Sequence, residues 1–192
     1  MARSYIRKQR HSNLCSLLEG NPLYTDEELA SLLEVSISTI RLDRALLGIP
    51  ELRERMRQMA EKATSRLRSM RCDEVVGELL ELEPNAWALS VFHATKEMAF
   101  RHTGIVWDHH IYSQASSLAI AVIGADMVVT GSGRVRYKRP AYVGDKLIAR
   151  AKVGVHKGNK YVVSVRTRVE EVEIFVGRYI VVATEGTPLR TV

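Results

Sequence analysis

Residues 107–110, Trp-Asp-His-His, set an indole, a carboxylate and two imidazoles at the head of an apolar run, IYSQASSLAIAVIG. Imidazole and carboxylate groups ligate metals. Adjacent side chains on a helix diverge by about 100°, however, and no further Cys or His stands close by in sequence, so no metal is expected here. A carboxylate beside helix N–H groups can also activate water against a polarised thioester carbonyl, which makes Asp108 the one candidate catalytic residue. The structural alternative, and the favoured one, is that Asp108 simply caps a helix. Gln114 and Ser116 follow on the same run. With Trp107, Asp108, His109 and His110 they form the candidate ligand-binding set.

The run itself predicts a helix. Ile111, Ala115, Leu118, Ala119, Val122 and Ile123 cover most of its circumference, and a helix apolar nearly all round must be enclosed. The flanking segments supply the enclosure. ELLELEPNAWALSVFHAT reads as two strands about a Pro-Asn turn. RVRYKRP, DKLIARAKVGV, KYVVSVRTRV and IFVGRYIVVAT alternate apolar and polar residues, with HKGNK as a hairpin turn. A central helix wrapped by a mostly antiparallel sheet is the hot-dog architecture, expected over residues 73–192.

The front of the chain differs. HSNLCSLLEG predicts a helix ending at Gly20, with Leu14, Leu17 and Leu18 on one face. TDEELASLLE opens with a capping box, Thr25 and Glu28, and offers Leu29, Leu32 and Leu33 to a core. Ser36 then suits the N-cap of a second helix, with Ile37, Ile40 and Leu47 facing inward. That is the spacing of a helix-turn-helix over residues 1–49, although Glu34 stands where the turn often has glycine. Ser36, Ser38, Thr39, Arg41 and Arg44 become candidate DNA-binding residues, since short hydroxyls touch phosphates and base edges and arginine pairs with guanine. Arg3, Arg7, Lys8 and Arg10, with no acid among the first ten residues, are expected to contact phosphates as a basic arm.

Residues 50–72 predict one amphipathic linker helix. Leu52, Met56, Met59, Ala63, Leu67 and Met70 recur at three- and four-residue steps, with arginines off that stripe. Packing on its own protein or on its twin is the favoured use, a DNA contact the next, and a membrane surface the weakest. The whole is an α+β chain of three parts.

Bulk properties bound the function. The 192 residues carry a formal net charge of +6, which permits a polyanionic partner without demanding one. No apolar run reaches the roughly 18 residues of a membrane span. The basic, polar start does not resemble a signal peptide, so a cytoplasmic protein is expected. The two cysteines, Cys15 and Cys72, lack metal spacing and are expected to be reduced thiols.

A helix-turn-helix joined to a hot-dog domain is an uncommon pairing. TDEELA, VSISTIRLDR, IPELRERM, DEVVGEL, HHIYSQASSLAIAVI and GRVRYKRP together make nearly the whole chain resemble the FapR family, bacterial repressors of fatty acid and phospholipid synthesis. The resemblance implies a homodimer on a near-palindromic double-stranded operator. It implies no cofactor, and release by malonyl-CoA, malonyl-acyl carrier protein or another acyl thioester. One departure bears on the effector. Where the family has Arg, Gly and Asn, this chain has Trp107, Asp108 and Ser116. Loss of the arginine forfeits a charge-assisted bond to a malonyl carboxylate, about 1.5–3 kcal/mol, and Asp108 adds a like charge. The alternative is an acyl-CoA thioesterase of the hot-dog class with a regulatory DNA-binding arm.

Overall fold

Local capping chemistry builds the N-terminal half. Helix α1 runs Ala2–Gly20, α2 Asp26–Leu32, α3 Ile37–Leu47 and α4 Leu52–Thr64. The Thr25 hydroxyl accepts from the Glu28 N–H at 3.1 Å while the Thr25 N–H donates to the Glu28 carboxylate at 2.7 Å. The capping box therefore satisfies two otherwise orphaned donors. Ser36 caps α3 by accepting from the Thr39 N–H at 3.2 Å. Gly48, at φ 67°, closes the helix in the left-handed conformation that glycine enters without a Cβ penalty. Glu34, between α2 and α3, adopts φ 53°. It performs the glycine's turn at some backbone strain. Leu14, Leu18, Leu29, Ala30 and Ile40 form the core of this unit.

The computed structural model describes the backbone of residues 2–184 and the side chains of residues 7–184. The chain divides into two units, Met1–Met59 and Ala60–Val192.

Three expectations for residues 1–72 change. The basic residues 3–10 belong to α1, which was expected to begin only at His11. Leu32 is exposed, and Ile37 and Leu47 are only partly covered, so the core takes fewer apolar residues than the periodicity offers. The linker helix stops at Thr64 instead of reaching Cys72. The Leu67 N–H turns back to the Thr64 carbonyl at 3.1 Å, and the Ser69 hydroxyl donates to the Ile120 carbonyl at 3.0 Å. Ala63 is buried in the second core, with Leu67 and Met70 packed against it. Tertiary contacts thus end a helix that the Met and Leu spacing alone would continue.

The second unit is a six-stranded antiparallel sheet with one long helix against it. The strands are β1 (Glu78–Glu83), β2 (Trp87–His93), β3 (Val128–Tyr137), β4 (Lys146–Lys157), β5 (Lys160–Val169) and β6 (Val172–Ala183), and α5 is Asp108–Ala121. Their order in the sheet is β1-β2-β4-β5-β6-β3. Helix α5 touches β2, β3, β4, β5 and β6, and Ala115, Leu118, Ala119 and Val122 are wholly buried. This is the hot-dog fold, and it answers the demand of a helix apolar nearly all round. The Pro84-Asn85 turn also fixes the far end of α5. The Asn85 N–H donates to the Val122 carbonyl at 2.8 Å, and its side-chain oxygen accepts from the Gly124 N–H at 3.1 Å.

Candidate functional site

Two places in the chain gather the candidate residues. The first is the outer face of α3. Ser38 and Arg41 are exposed there and Thr39 is half-buried; the Arg41 side chain is 66% exposed, 3.4 Å from Asp26. Ser36 is exposed too, but its hydroxyl is engaged with Thr39 and, at 2.8 Å, with the Ser38 hydroxyl.

Arg44 and Arg10 do not join that face. Arg44 is 8% exposed. Its guanidinium reaches both Asp26 oxygens at 2.8 and 2.9 Å and the Ile49 carbonyl at 3.2 Å. Arg10 grips Asp43 in the same two-point fashion, at 2.6 and 3.1 Å, and His11 adds a third contact at 2.9 Å. These arginines hold helices together instead of meeting phosphate. Hydrogen bonds from the guanidinium groups, chiefly, hold the Asp43 and Asp26 carboxyls below the usual carboxylate range. Arg7 and Lys8 are exposed on α1 and remain available; the Arg3 side chain lies outside the described residues.

Sequence reasoning also missed Arg55. It is buried and donates to the carbonyls of Pro22, Tyr24 and Pro50 at 3.1, 2.6 and 2.7 Å. Nothing in its spacing separates it from its solvated neighbours Arg53 and Arg57.

The second place is the head of α5. A cavity of about 460 Å³ opens there, lined by Phe100, Ile105, Val106, Asp108, Ile111, Tyr137, Lys138, Arg139 and Pro140. Its wall is apolar, and its rim carries one carboxylate and two cations. Asp108 is the first helical residue, not the cap. Trp107 holds the N-cap position without a side-chain bond, and the Asp108 carbonyl accepts from the Tyr137 hydroxyl at 3.2 Å. Burial, with the Asp108 charge second, pushes the Tyr137 phenol up, so it stays a donor at neutral pH. Tyr137, Lys138 and Arg139 come from a quoted sequence motif. Only the meeting of β3 with α5 makes them part of a site.

Trp107, His109 and His110 form an aromatic stack beside the cavity. The indole lies 6.0 Å from the His110 ring at 8° and 5.5 Å from the His109 ring; Phe100 meets the indole edge-on at 5.9 Å. Burial, then the neighbouring His109, lowers the His110 pKa. Its buried Nε2 has no hydrogen-bond partner among the described residues. Gln114 does not line the cavity. It is fully buried, and its amide nitrogen lies 3.2 Å from the Ser90 hydroxyl and 3.3 Å from the Leu147 carbonyl, tying α5 to β2 and β4. Ser116 is half-buried and likewise outside the cavity lining.

Among the described residues no three metal-ligating side chains come together, Cys15 and Cys72 form no disulfide, and no helix is long and apolar enough to cross a membrane.

No family model matches the chain. Its curated relatives do. It is 44% identical over 185 residues to the transcription factor FapR of Thermoanaerobacter sp. (strain X514), covering 96% of this chain and 92% of that one. It is 39% identical over 175 residues to the FapR of Geobacillus thermodenitrificans, covering 90% and 88%. Among solved structures, a sigma28-regulated virulence protein of Campylobacter jejuni superposes with a TM-score of 0.62 at 25% identity, over 67% of this chain and 92% of that one. The structural likeness covers two thirds of the chain, whereas the relatives match almost all of it. With a helix-turn-helix in its first unit and a hot-dog sheet in its second, the chain belongs to the FapR family of transcription factors.

Proposed function

We propose that this protein is a homodimeric, cytoplasmic repressor of fatty acid and phospholipid synthesis genes, released from a near-palindromic operator by an acyl thioester. Residues 1–49 grip the DNA, residues 50–72 link, and residues 73–192 hold the effector. The observation that carries the reading is the α3 face. It is exposed and carries a cation, on a helix whose opposite side is locked by the Asp26 and Asp43 ion pairs. Helices so fixed enter the major groove with their side chains already placed.

Two further features support the rest. Strand β3 is an edge of the sheet and ten residues long. A long edge with unpaired backbone groups favours pairing with a second copy. The cavity at α5 combines an apolar wall with the positive end of a helix, a surrounding suited to an acyl group and a polarised thioester carbonyl. Trp107 stands where the family has arginine and Asp108 adds a carboxylate to the rim, which favours a neutral acyl-CoA or acyl-carrier thioester over the malonyl form and leaves Lys138 and Arg139 on the same rim to pair with the carrier's phosphates.

Replacing Arg41 with alanine tests the reading. Loss of one base or phosphate contact costs about 1–3 kcal/mol, roughly a ten- to hundredfold loss of operator affinity. A gel shift should lose the retarded band at protein concentrations that fully retain wild type. An unchanged shift would remove α3 from the DNA.

The position of Asp108 in the cavity wall also favours a second reading, thioester hydrolysis with the carboxylate as base. The repressor reading assigns Asp108 to ligand choice, and the effector should leave intact.

A further inference from the structure

Helix α3 exposes more than its polar residues. Leu42 is 66% exposed and Leu46 62%. At 100° per residue, Arg41, Ala45, Ser38, Leu42 and Leu46 share an arc of roughly 140°. Ile40, Asp43 and Arg44, on the other side, are buried. Two large aliphatic side chains standing four residues apart in solvent contribute nothing to this core. The core could have used them, since it leaves Leu32, Ile37 and Leu47 partly open as well.

The exposed arc limits what can cover it. The only acid within α3, Asp43, is buried under Arg10 and His11, so the arc carries a cation and no exposed carboxylate. That charge fits a polyanion. In the major groove of DNA the one apolar feature on a base edge is the C5-methyl group of thymine. We propose that Leu42 and Leu46 read thymine methyl groups in the operator, alongside the hydrogen bonds of Ser38 and Arg41. The inference rests on the DNA-binding reading of α3 and adds the chemistry of the bases it prefers. Arg41 and the hydroxyls supply grip and hydrogen-bonded selection. The two leucines select A·T pairs with the thymine on a given strand, because the methyl projects from one side of the groove only.

Uracil provides the test, since it keeps the pairing edge of thymine and lacks only the methyl. The full chain is used to select a bound duplex from a random-sequence library. Each thymine in its half-sites is then replaced in turn by uracil. At one or more positions per half-site, affinity should fall roughly fourfold, the effect of one buried methyl. Leu42→Ala and Leu46→Ala, at exposed positions that leave folding intact, should weaken binding to the thymine duplex. Against the duplex with uracil at the matching position they should have little further effect, the signature of a direct contact in a double-mutant cycle.

Uracil substitutions that are all neutral on a tightly bound duplex would overturn the methyl reading while leaving DNA binding in place. Leucine variants that weaken thymine and uracil duplexes alike, or that alter the oligomeric state, would overturn it and give the face to a protein contact. Failure to select any duplex would instead refute the assignment of α3 to DNA, and the methyl reading with it.

Discussion

Asp43→Ala is expected to weaken operator binding without touching the operator. Asp43 is 3% exposed, too deep to meet DNA. Its carboxylate accepts from two Arg10 nitrogens, Nε and Nη2, and meets the His11 ring. Removing one partner of a buried pair leaves the other charge unpaired and costs about 3–5 kcal/mol. The Arg10 side chain keeps 21% exposure, which places this case near the lower figure, about 3 kcal/mol. The first unit spans Met1–Met59, and a core of that size supplies only about 3–5 kcal/mol. The substitution should therefore leave the unit with at most about 2 kcal/mol of stability, marginal at room temperature, seen as a large fall in its urea midpoint at pH 7 together with weakened gel retardation. A shift below about 1 kcal/mol would show that the pair is a solvated surface contact.

The same pair predicts an acid limit. Arg10, chiefly by its hydrogen bonds, lowers the Asp43 carboxyl in the folded state. Its contribution is thus fully present above the unfolded value of about 3.9 and is lost as pH falls through the folded value. Asp26 under Arg44 behaves alike. Stability of the first unit should decline from about pH 5 downward, and Asp43→Asn should flatten that decline.

Gly177→Val is expected to damage the second unit comparably. A Cβ on Gly177 would lie 2.5 Å from a ring carbon of Tyr179 and 2.9 Å from its hydroxyl oxygen. The ring has little room to move. It is fully buried, and Gly133, its cross-strand partner on β3, leaves a Cβ position only 3.1 Å from its other edge. Two glycines therefore make the slot that one tyrosine fills. Overpacking here should cost about 3 kcal/mol and lower Tm by roughly 10 °C. Tyr179 also lies 6.1 Å from Tyr112 on α5, so the displaced ring should disturb the helix that heads the cavity. Adding Tyr179→Ala to Gly177→Val should cost less than the sum of the two single changes. A melting point within about 2 °C of wild type for Gly177→Val would contradict the packing argument.

What the sequence disclosed follows from how local each cause is. Thr25 with Glu28, and Ser36 with Thr39, act within three residues, so both α2 and α3 starts were legible. Strand alternation and the enclosed α5 run were legible for the same reason, since each is a repeating local pattern. The ion pairs were not. Asp43 meets Arg10 across 33 residues and Asp26 meets Arg44 across 18, and no spacing distinguishes a gripped arginine from a free one. The basic start hid a helix because its charges suggested an arm. At the cavity, Asp108 was found from its residue type, but its place as first helical residue behind Trp107, and the contribution of Tyr137, Lys138 and Arg139, arise from β3 meeting α5. Gln114 was assigned to the pocket from its neighbours on the helix; burial against Ser90 and Leu147 gives it a structural task.

We propose that occupancy of the α5 cavity loosens the hold of α3 on DNA, through a coupling of about 1–3 kcal/mol. Operator-bound protein should be titrated with acetyl-CoA, longer acyl-CoAs and malonyl-CoA while DNA release and thioester integrity are both followed. Saturable release by a neutral acyl-CoA at lower concentration than by malonyl-CoA is expected, with the thioester recovered intact. DNA that stays bound at every acyl-CoA concentration would contradict it.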